Sequence, residues 1–225
     1  MYEIVTGPLL WLSFLIFFIG IFIRVVCYIF GLDWKLDRVT YTVNVSYGIK
    51  GAIKSILFWI IPFGSRSWRI KPGYTIVIFT FHIGLLVTPI FLIGHNILLQ
   101  ERWGFSFITL PEKIADIMTI AVLVSALLIL LRRIALPEVR ILTTVNDIFL
   151  LAITVAPFIT GFVAHMQTSG YNFWLIAHIL SGEALLIAIP FTKLSHIVLF
   201  FMSRAQIGMD FGIKRGGMKG RGIVW

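Results

Sequence analysis

Five histidines stand in a strongly apolar chain: His82, His95, His165, His178 and His196. A neutral imidazole offers one ring nitrogen to a metal, and a polar ring placed in lipid is costly unless it faces a protein interior or takes part in chemistry. Four of the five fall by twos in two apolar runs, His82 with His95 and His178 with His196. Two imidazoles brought from opposite sides can hold one iron at the centre of a haem, the protein supplying only the two axial positions. Ligands about 20 Å or more apart along each helix cannot converge on one small ion, so a zinc or copper site ranks low. Two haem sites require that the two runs lie side by side in opposite directions, and the elements that carry them therefore decide the chemistry.

Of the 225 residues, 59% are apolar and 13% charged, with a mean hydropathy of +0.97. A soluble domain is about half apolar and about a quarter charged, so the excess apolar surface belongs in lipid, as one membrane domain. The reading is an all-α membrane protein. A spanning helix needs roughly 20 apolar residues, and five runs qualify, near 7–30, 74–98, 113–132, 144–165 and 173–200. The first is too long for a signal h-region and follows no basic stretch, so it is expected to stay in place. No sustained internal repeat argues for a repeat-built transporter. The single Cys27 excludes a disulfide framework, a cysteine-built iron–sulfur site and a covalent haem motif. The net charge of +9 lies between the apolar runs and not on a stripe interleaved with aromatics, so nucleic acid is not its partner.

Lys and Arg set the orientation. The loop after the first span, 31–73, carries Lys35, Arg38, Lys50, Lys54, Arg66, Arg69 and Lys71; the loop after the third carries Arg132, Arg133 and Arg140. The tail 201–225 carries Arg204, Lys214, Arg215, Lys219 and Arg221, against only Arg102 and Lys113 on the other side. The N-terminus is expected outside and the C-terminus in the cytoplasm. Within the first loop, Gly51–Gly64 is apolar and too short to span, and reads as an interfacial helix with Trp59 and Trp68 at headgroup level. Lys214–Arg221, rich in Gly and basic residues, reads as a flexible or partner-ordered segment, or simply as a topology signal.

On this topology the second span enters from the cytoplasm and the fifth from outside. His82 then matches His196 in depth on the inner side, and His95 matches His178 on the outer side. The expected fold is a di-haem helix bundle with these two cross-helix pairs. On the fifth span the 18-residue spacing is five full turns, so both rings point the same way, about 27 Å apart. On the second the 13-residue spacing leaves about 220° between the rings in a straight helix. Pro89 lies between them, where it should kink or unwind the helix. Gly84, Gly94 and Gly182 would let a flat macrocycle approach the backbone, or serve ordinary helix packing. His165 ends the fourth span and reads as a solvated helix-end group, a reserve ligand or a quinone-site group. Arg132, Arg133 and Arg140 lie at the depth of the inner haem's edge, where guanidinium groups bind propionates; Arg24 and Lys193 have the same reading beside one of simple snorkelling. Glu183, between the two ligands of the fifth span, must be paired or carry a proton.

These residues resemble the gamma (cytochrome b) subunit of respiratory nitrate reductase. FHIGLL around His82 with GH at His95, the stretch LLRRIALPEVRILTTVNDI from Leu130 to Ile148, and AIPFTKLSHI ending at Ile197 are similar to that family's second helix, third cytoplasmic turn and fifth helix. The resemblance anchors about two thirds of the chain. It implies two b haems, with His95 and His178 on the outer and His82 and His196 on the inner one. It also implies a quinol site, at which Lys113 in LPEK looks like the family's lysine and Asp116, one turn on, would pair with it or take a quinol proton. Electrons would leave inward to an iron–sulfur subunit. The spacing from His82 to His95 and the first loop are longer than the family pattern, and the tail differs. Those departures resemble the branch in sulfate reducers, of the high-molecular-mass cytochrome c complex type. There such subunits sit with other membrane subunits, periplasmic multihaem cytochromes and heterodisulfide-reductase-like cytoplasmic subunits.

The expectation is an electron-transfer subunit of a respiratory complex of anaerobes, multi-pass in the bacterial inner membrane. It would carry two haem b and draw on menaquinone or a periplasmic cytochrome, with no bond chemistry of its own. Its rivals are the same cytochrome without a quinone site and a haem-free membrane scaffold with structural histidines. Haem absorbance separates the last from the others.

Overall fold

The computed structural model describes residues 2–32, 45–167 and 169–216, with the side chains of 211–216 left aside. Lys35, Arg38, Lys219 and Arg221 lie outside the described residues. Those described are helical, with no strand among them. The helices are α1 (Tyr2–Phe30), α2 (Val45–Ile60), α3 (Arg66–Ile70), α4 (Pro72–Phe91), α5 (Ile93–Trp103), α6 (Glu112–Ala135), α7 (Pro137–Arg140), α8 (Val145–His165), α9 (Tyr171–Phe191) and α10 (His196–Gly216). Five of these, α1, α4, α6, α8 and α9, are long and apolar enough to cross a membrane. A helix is the natural spanning element because it satisfies its backbone within itself. Its side-chain hydroxyls follow suit: Thr119, Thr154 and Thr160 each donate to the carbonyl four residues back.

The chain forms two compact units. The first comprises Met1–Trp11 and Ile76–Leu185. Its core is Phe81, Val122, Ala126, Ile129, Val155 and Phe158, drawn from α4, α6 and α8. Gly84 is part of that packing: a Cβ there would run into the Val122 side chain. Of the two readings for Gly84, close helix packing is therefore the one realised. At the start of α8, Thr144 and Asp147 cap reciprocally, the Thr144 hydroxyl accepting from the Asp147 N–H while the Asp147 carboxylate accepts from the Thr144 N–H.

The second unit comprises Leu12–Thr75 and Leu186–Trp225, and its centre is the pair α2 and α10. The face of α2 that is buried is made of Gly48, Gly51, Ala52 and Ser55, one narrow stripe at spacings of three and four. Gly208 of α10 meets that stripe so closely that a Cβ on it would press on the Gly51 carbonyl, lie 2.7 Å from Ser55 Cβ and 2.8 Å from Ala52 Cα. One turn earlier, the Arg204 guanidinium donates to Ser55 Oγ at 3.1 and 3.2 Å and covers the Trp59 ring at 4.5 Å. Burial pushes Arg204 down from its ordinary range, though an arginine stays a cation. Trp68 Nε1 donates to the Trp59 carbonyl, and Thr75 Oγ1 to the Trp68 carbonyl.

Two expectations change here. The helix expected from Gly51 begins earlier, at Val45, and buries its small face against α10. Helix α10 runs as far as Gly216, and the rest of Lys214–Arg221 lies outside the described residues. The fifth run is not one helix to residue 200: α9 stops at Phe191, Thr192 is extended, and Lys193–Ser195 form a single tight turn before α10. Pro190 withholds the N–H that α9 would need, the Thr192 hydroxyl caps the next turn by accepting from Leu194 N–H, and Arg24 Nε donates to the Pro190 carbonyl at 2.7 Å.

Gly208→Leu is expected to force α2 and α10 apart at a cost of about 1–3 kcal/mol. Thermal unfolding of the detergent-solubilised protein should show a midpoint lower by several degrees. Gly73→Ala, where a Cβ meets nothing within 4 Å, should leave the midpoint in place; equal midpoints for both variants would refute the close contact.

Candidate functional site

The second run breaks where the sequence places Pro89. The helix continues past the proline for two residues, then Leu92 adopts φ −67° and ψ 134°, and α5 begins at Ile93. A helix end leaves carbonyls without partners, and within a membrane each must find one in the protein. Here each does. His95 Nδ1 bonds the Pro89 carbonyl at 2.8 Å, Asn96 Nδ2 donates to the Ile90 carbonyl at 2.8 Å, and Leu110 N–H donates to the Phe91 carbonyl at 2.8 Å. Asn96 is 2% exposed and its Oδ1 accepts from Phe107 N–H at 2.7 Å, tying the extended segment 105–111 back to the break. The rotation reckoned between His82 and His95 for a straight helix does not apply, because the break puts the two rings on separate helices.

His178 comes from α9 and reaches α8. Its Nδ1 bonds the Pro157 carbonyl at 2.8 Å, and its ring lies where Gly161 has no side chain: a Cβ on Gly161 would sit 2.7 Å from Nδ1 and 2.8 Å from Cε1. The His95 and His178 rings lie near-parallel, with centroids 5.8 Å apart and planes 14° from parallel. Two imidazoles this close could both serve one haem, whose iron takes two. Cβ atoms on Gly94 and Gly182, each beside the pair, would meet nothing within 4 Å, which leaves room along the backbone for a flat ring.

The other two candidates share one feature with this pair. His82 Nδ1 bonds the Ile78 carbonyl at 2.8 Å and His196 Nδ1 bonds the Lys193 carbonyl at 2.9 Å. A carbonyl only accepts, so in all four rings Nδ1 carries the proton and the neutral ring keeps its lone pair on Nε2, the nitrogen a metal would take. His82 is half-buried in α4 of the first unit; His196 is exposed, heads α10 and belongs to the second unit. The expectation that His178 and His196 share one helix face over five turns is thereby corrected: the interruption at Thr192 puts them on separate helices.

His165 is placed differently. At the end of α8, its Nε2 lies 3.3 Å from Asp116 Oδ1 and 3.5 Å from Glu112 Oε1, on the first turns of α6. Acid at one helix start and an imidazole at the neighbouring helix end complement both dipoles. Asp116 thus meets His165, and Lys113 stands exposed beside it. Arg132 and Arg133 occupy the last turn of α6, half-buried. Glu183 is 3% exposed, and neither of its oxygens has a hydrogen-bond partner. Among the described residues no three His, Cys, Asp or Glu converge as a metal cluster, so an ion held by side chains alone lacks ligands there, whereas a haem iron needs only two. Sequence reasoning missed Asn96, Gly161 and the proline-turn carbonyls. An asparagine next to a histidine in an apolar run, and a glycine one turn after Pro157, were the available signals.

No family model matches the chain, and no solved structure matches it. A protein of Nitratidesulfovibrio vulgaris strain Hildenborough is 54% identical over 226 residues, an alignment that covers 100% of both chains. At that identity over its full length, the chain belongs to the same family as this Nitratidesulfovibrio protein.

Proposed function

We propose that this chain is a di-haem b membrane subunit of a respiratory redox complex, of the type that the nitrate reductase gamma subunit represents, in the branch found with high-molecular-mass cytochrome c complexes. The observation that carries the reading is the carbonyl tether on Nδ1 of His82, His95, His178 and His196, which fixes the ligating tautomer in all four. The closeness of the His95 and His178 rings supports it for the outer haem. His82 and His196 would hold the inner one. A haem supplies one-electron iron chemistry when bound; the chain's residues bind it, orient it and keep water from it.

The remaining residues take supporting roles. Arg132 and Arg133 at the end of α6 would meet propionates of the inner haem. Lys113 and Asp116, at the head of α6, would bind menaquinol near the outer haem, with Asp116 and His165 forming a carboxylate–imidazole pair able to accept its proton. The N-terminus would lie outside and the C-terminus in the cytoplasm of a bacterial inner membrane. Electrons would run between the quinone pool or a periplasmic multihaem cytochrome c and a cytoplasmic heterodisulfide-reductase-like iron–sulfur subunit, alongside other membrane subunits.

A reduced-minus-oxidised spectrum with a pyridine haemochrome assay should give two b haems per chain. His178→Ala, and Gly161→Leu, which fills the space of the His178 ring, should each lower the count to one. A folded, haem-supplied protein with no b-type band would replace this reading with the haem-free scaffold. For the quinol site, Lys113→Ala should slow haem reduction by a menaquinol analogue at least about tenfold, the loss of a charge-assisted hydrogen bond worth ~1.5–3 kcal/mol, and leave dithionite reduction unchanged. Equal rates with the analogue would favour a haem wire fed only by protein partners.

A further inference from the structure

Among the described residues, three side-chain oxygens in the first unit are buried without a hydrogen-bond partner: both of Glu183 and Oγ1 of Thr88. Their residues are 3% and 4% exposed. The contact between His95 and His178 sets the register between the elements that carry them. Thr88 lies seven residues before His95 on a run expected to cross outward, and Glu183 five residues after His178 on a run expected to cross inward. On the unbroken α9, Glu183 sits about 8 Å along the axis from His178, and Thr88 directly precedes Pro89, whose carbonyl holds His95 Nδ1. The residues with unpartnered oxygens thus each lie close in the chain to a group that holds or forms the His95–His178 pair.

The other ionisable groups on the helices of this unit stand mainly at helix ends. Glu112, Asp116 and His165 are at one end, and Arg132, Arg133 and Asp147 at the other. Only His82, His95 and His178 share the interior with Glu183, and each has its Nδ1 tied to a carbonyl. Arg24, in the other unit, donates to the Pro190 carbonyl. A buried carboxylate without a hydrogen bond keeps its charge only against a nearby positive one. On the proposed function, the ferric iron held by His95 and His178 is that charge, and one electron neutralises it.

We propose that Glu183 is an internal proton-binding site that takes up one proton when the outer haem is reduced. The proposal rests on the di-haem reading. In the balanced step, one electron from the reductant converts Fe(III) to Fe(II), and one proton from water on the exposed side forms the O–H bond of the Glu183 carboxyl. Oxidation reverses both. Glu183 is a positioning and proton-holding group and does not ligate the iron.

The test is reduced-minus-oxidised infrared spectroscopy of the full-length, haem-loaded protein in lipid nanodiscs, with dithionite as reductant and a visible spectrum of the same sample. The expected result is a protonated-carboxyl C=O band that appears on reduction, moves to lower frequency in D2O, and is absent in the isosteric Glu183→Gln. The potential of the outer haem should fall as pH rises in the wild type and lose most of that dependence in Glu183→Gln. Normal haem bands with the same carboxyl region and the same pH dependence in both proteins would overturn this inference and leave the di-haem reading standing. Absence of haem bands in the wild type would overturn the di-haem reading, and this inference with it.

Discussion

A membrane interior offers no water to a free carbonyl, and that shortage organises the site described here. Wherever a spanning run is interrupted, a backbone oxygen needs a donor. At the break after Phe91 the Pro89 carbonyl takes His95, and within the unbroken α8 the Pro157 carbonyl takes His178. The same bonds that satisfy the backbone also fix each imidazole in position and tautomer. Structural need and ligand preparation are one interaction, so the site follows from how the helices are flawed as much as from how they are formed.

That dependence explains why the two proline-containing stretches are more than irregularities. Asn96 and the segment 105–111 hold the far side of the Leu92 break, and Arg24 and Thr192 hold the break after α9. In the second unit a different economy operates. There the backbones of α2 and α10 approach because Gly48, Gly51, Ala52 and Gly208 have little or nothing to keep them apart. The basic Arg204 is drawn into that contact by Ser55 and Trp59.

The five spans were legible in the sequence because length and apolar content are all that a spanning helix demands. The closeness of the His95 and His178 rings was legible too, because alternating spans convert sequence distance into depth. The breaks were not. Hydropathy runs unbroken through IFLIGHN and through PFTKLSHIV, so an apolar run cannot announce where its helix stops. Pro89 pointed to the first break, but the chain leaves the helix three residues later, where free carbonyls could be satisfied. Pro190 and the capping threonine Thr192 marked the second, and the even five-turn spacing of His178 and His196 masked it. Helix α10 was missed because its charges read as a tail, while its packing rests on one glycine.

The hydrogen bond on each candidate ligand has a kinetic side as well. A ring whose Nδ1–H is held by a backbone carbonyl cannot swivel when the charge on a metal at Nε2 changes, and the Gly161 contact leaves the His178 plane no other resting place. On the proposed function, little nuclear rearrangement would then accompany gain or loss of an electron. Such a centre would have a low reorganisation barrier, and distance to the next redox partner would govern its electron transfer more than motion of its own ligands.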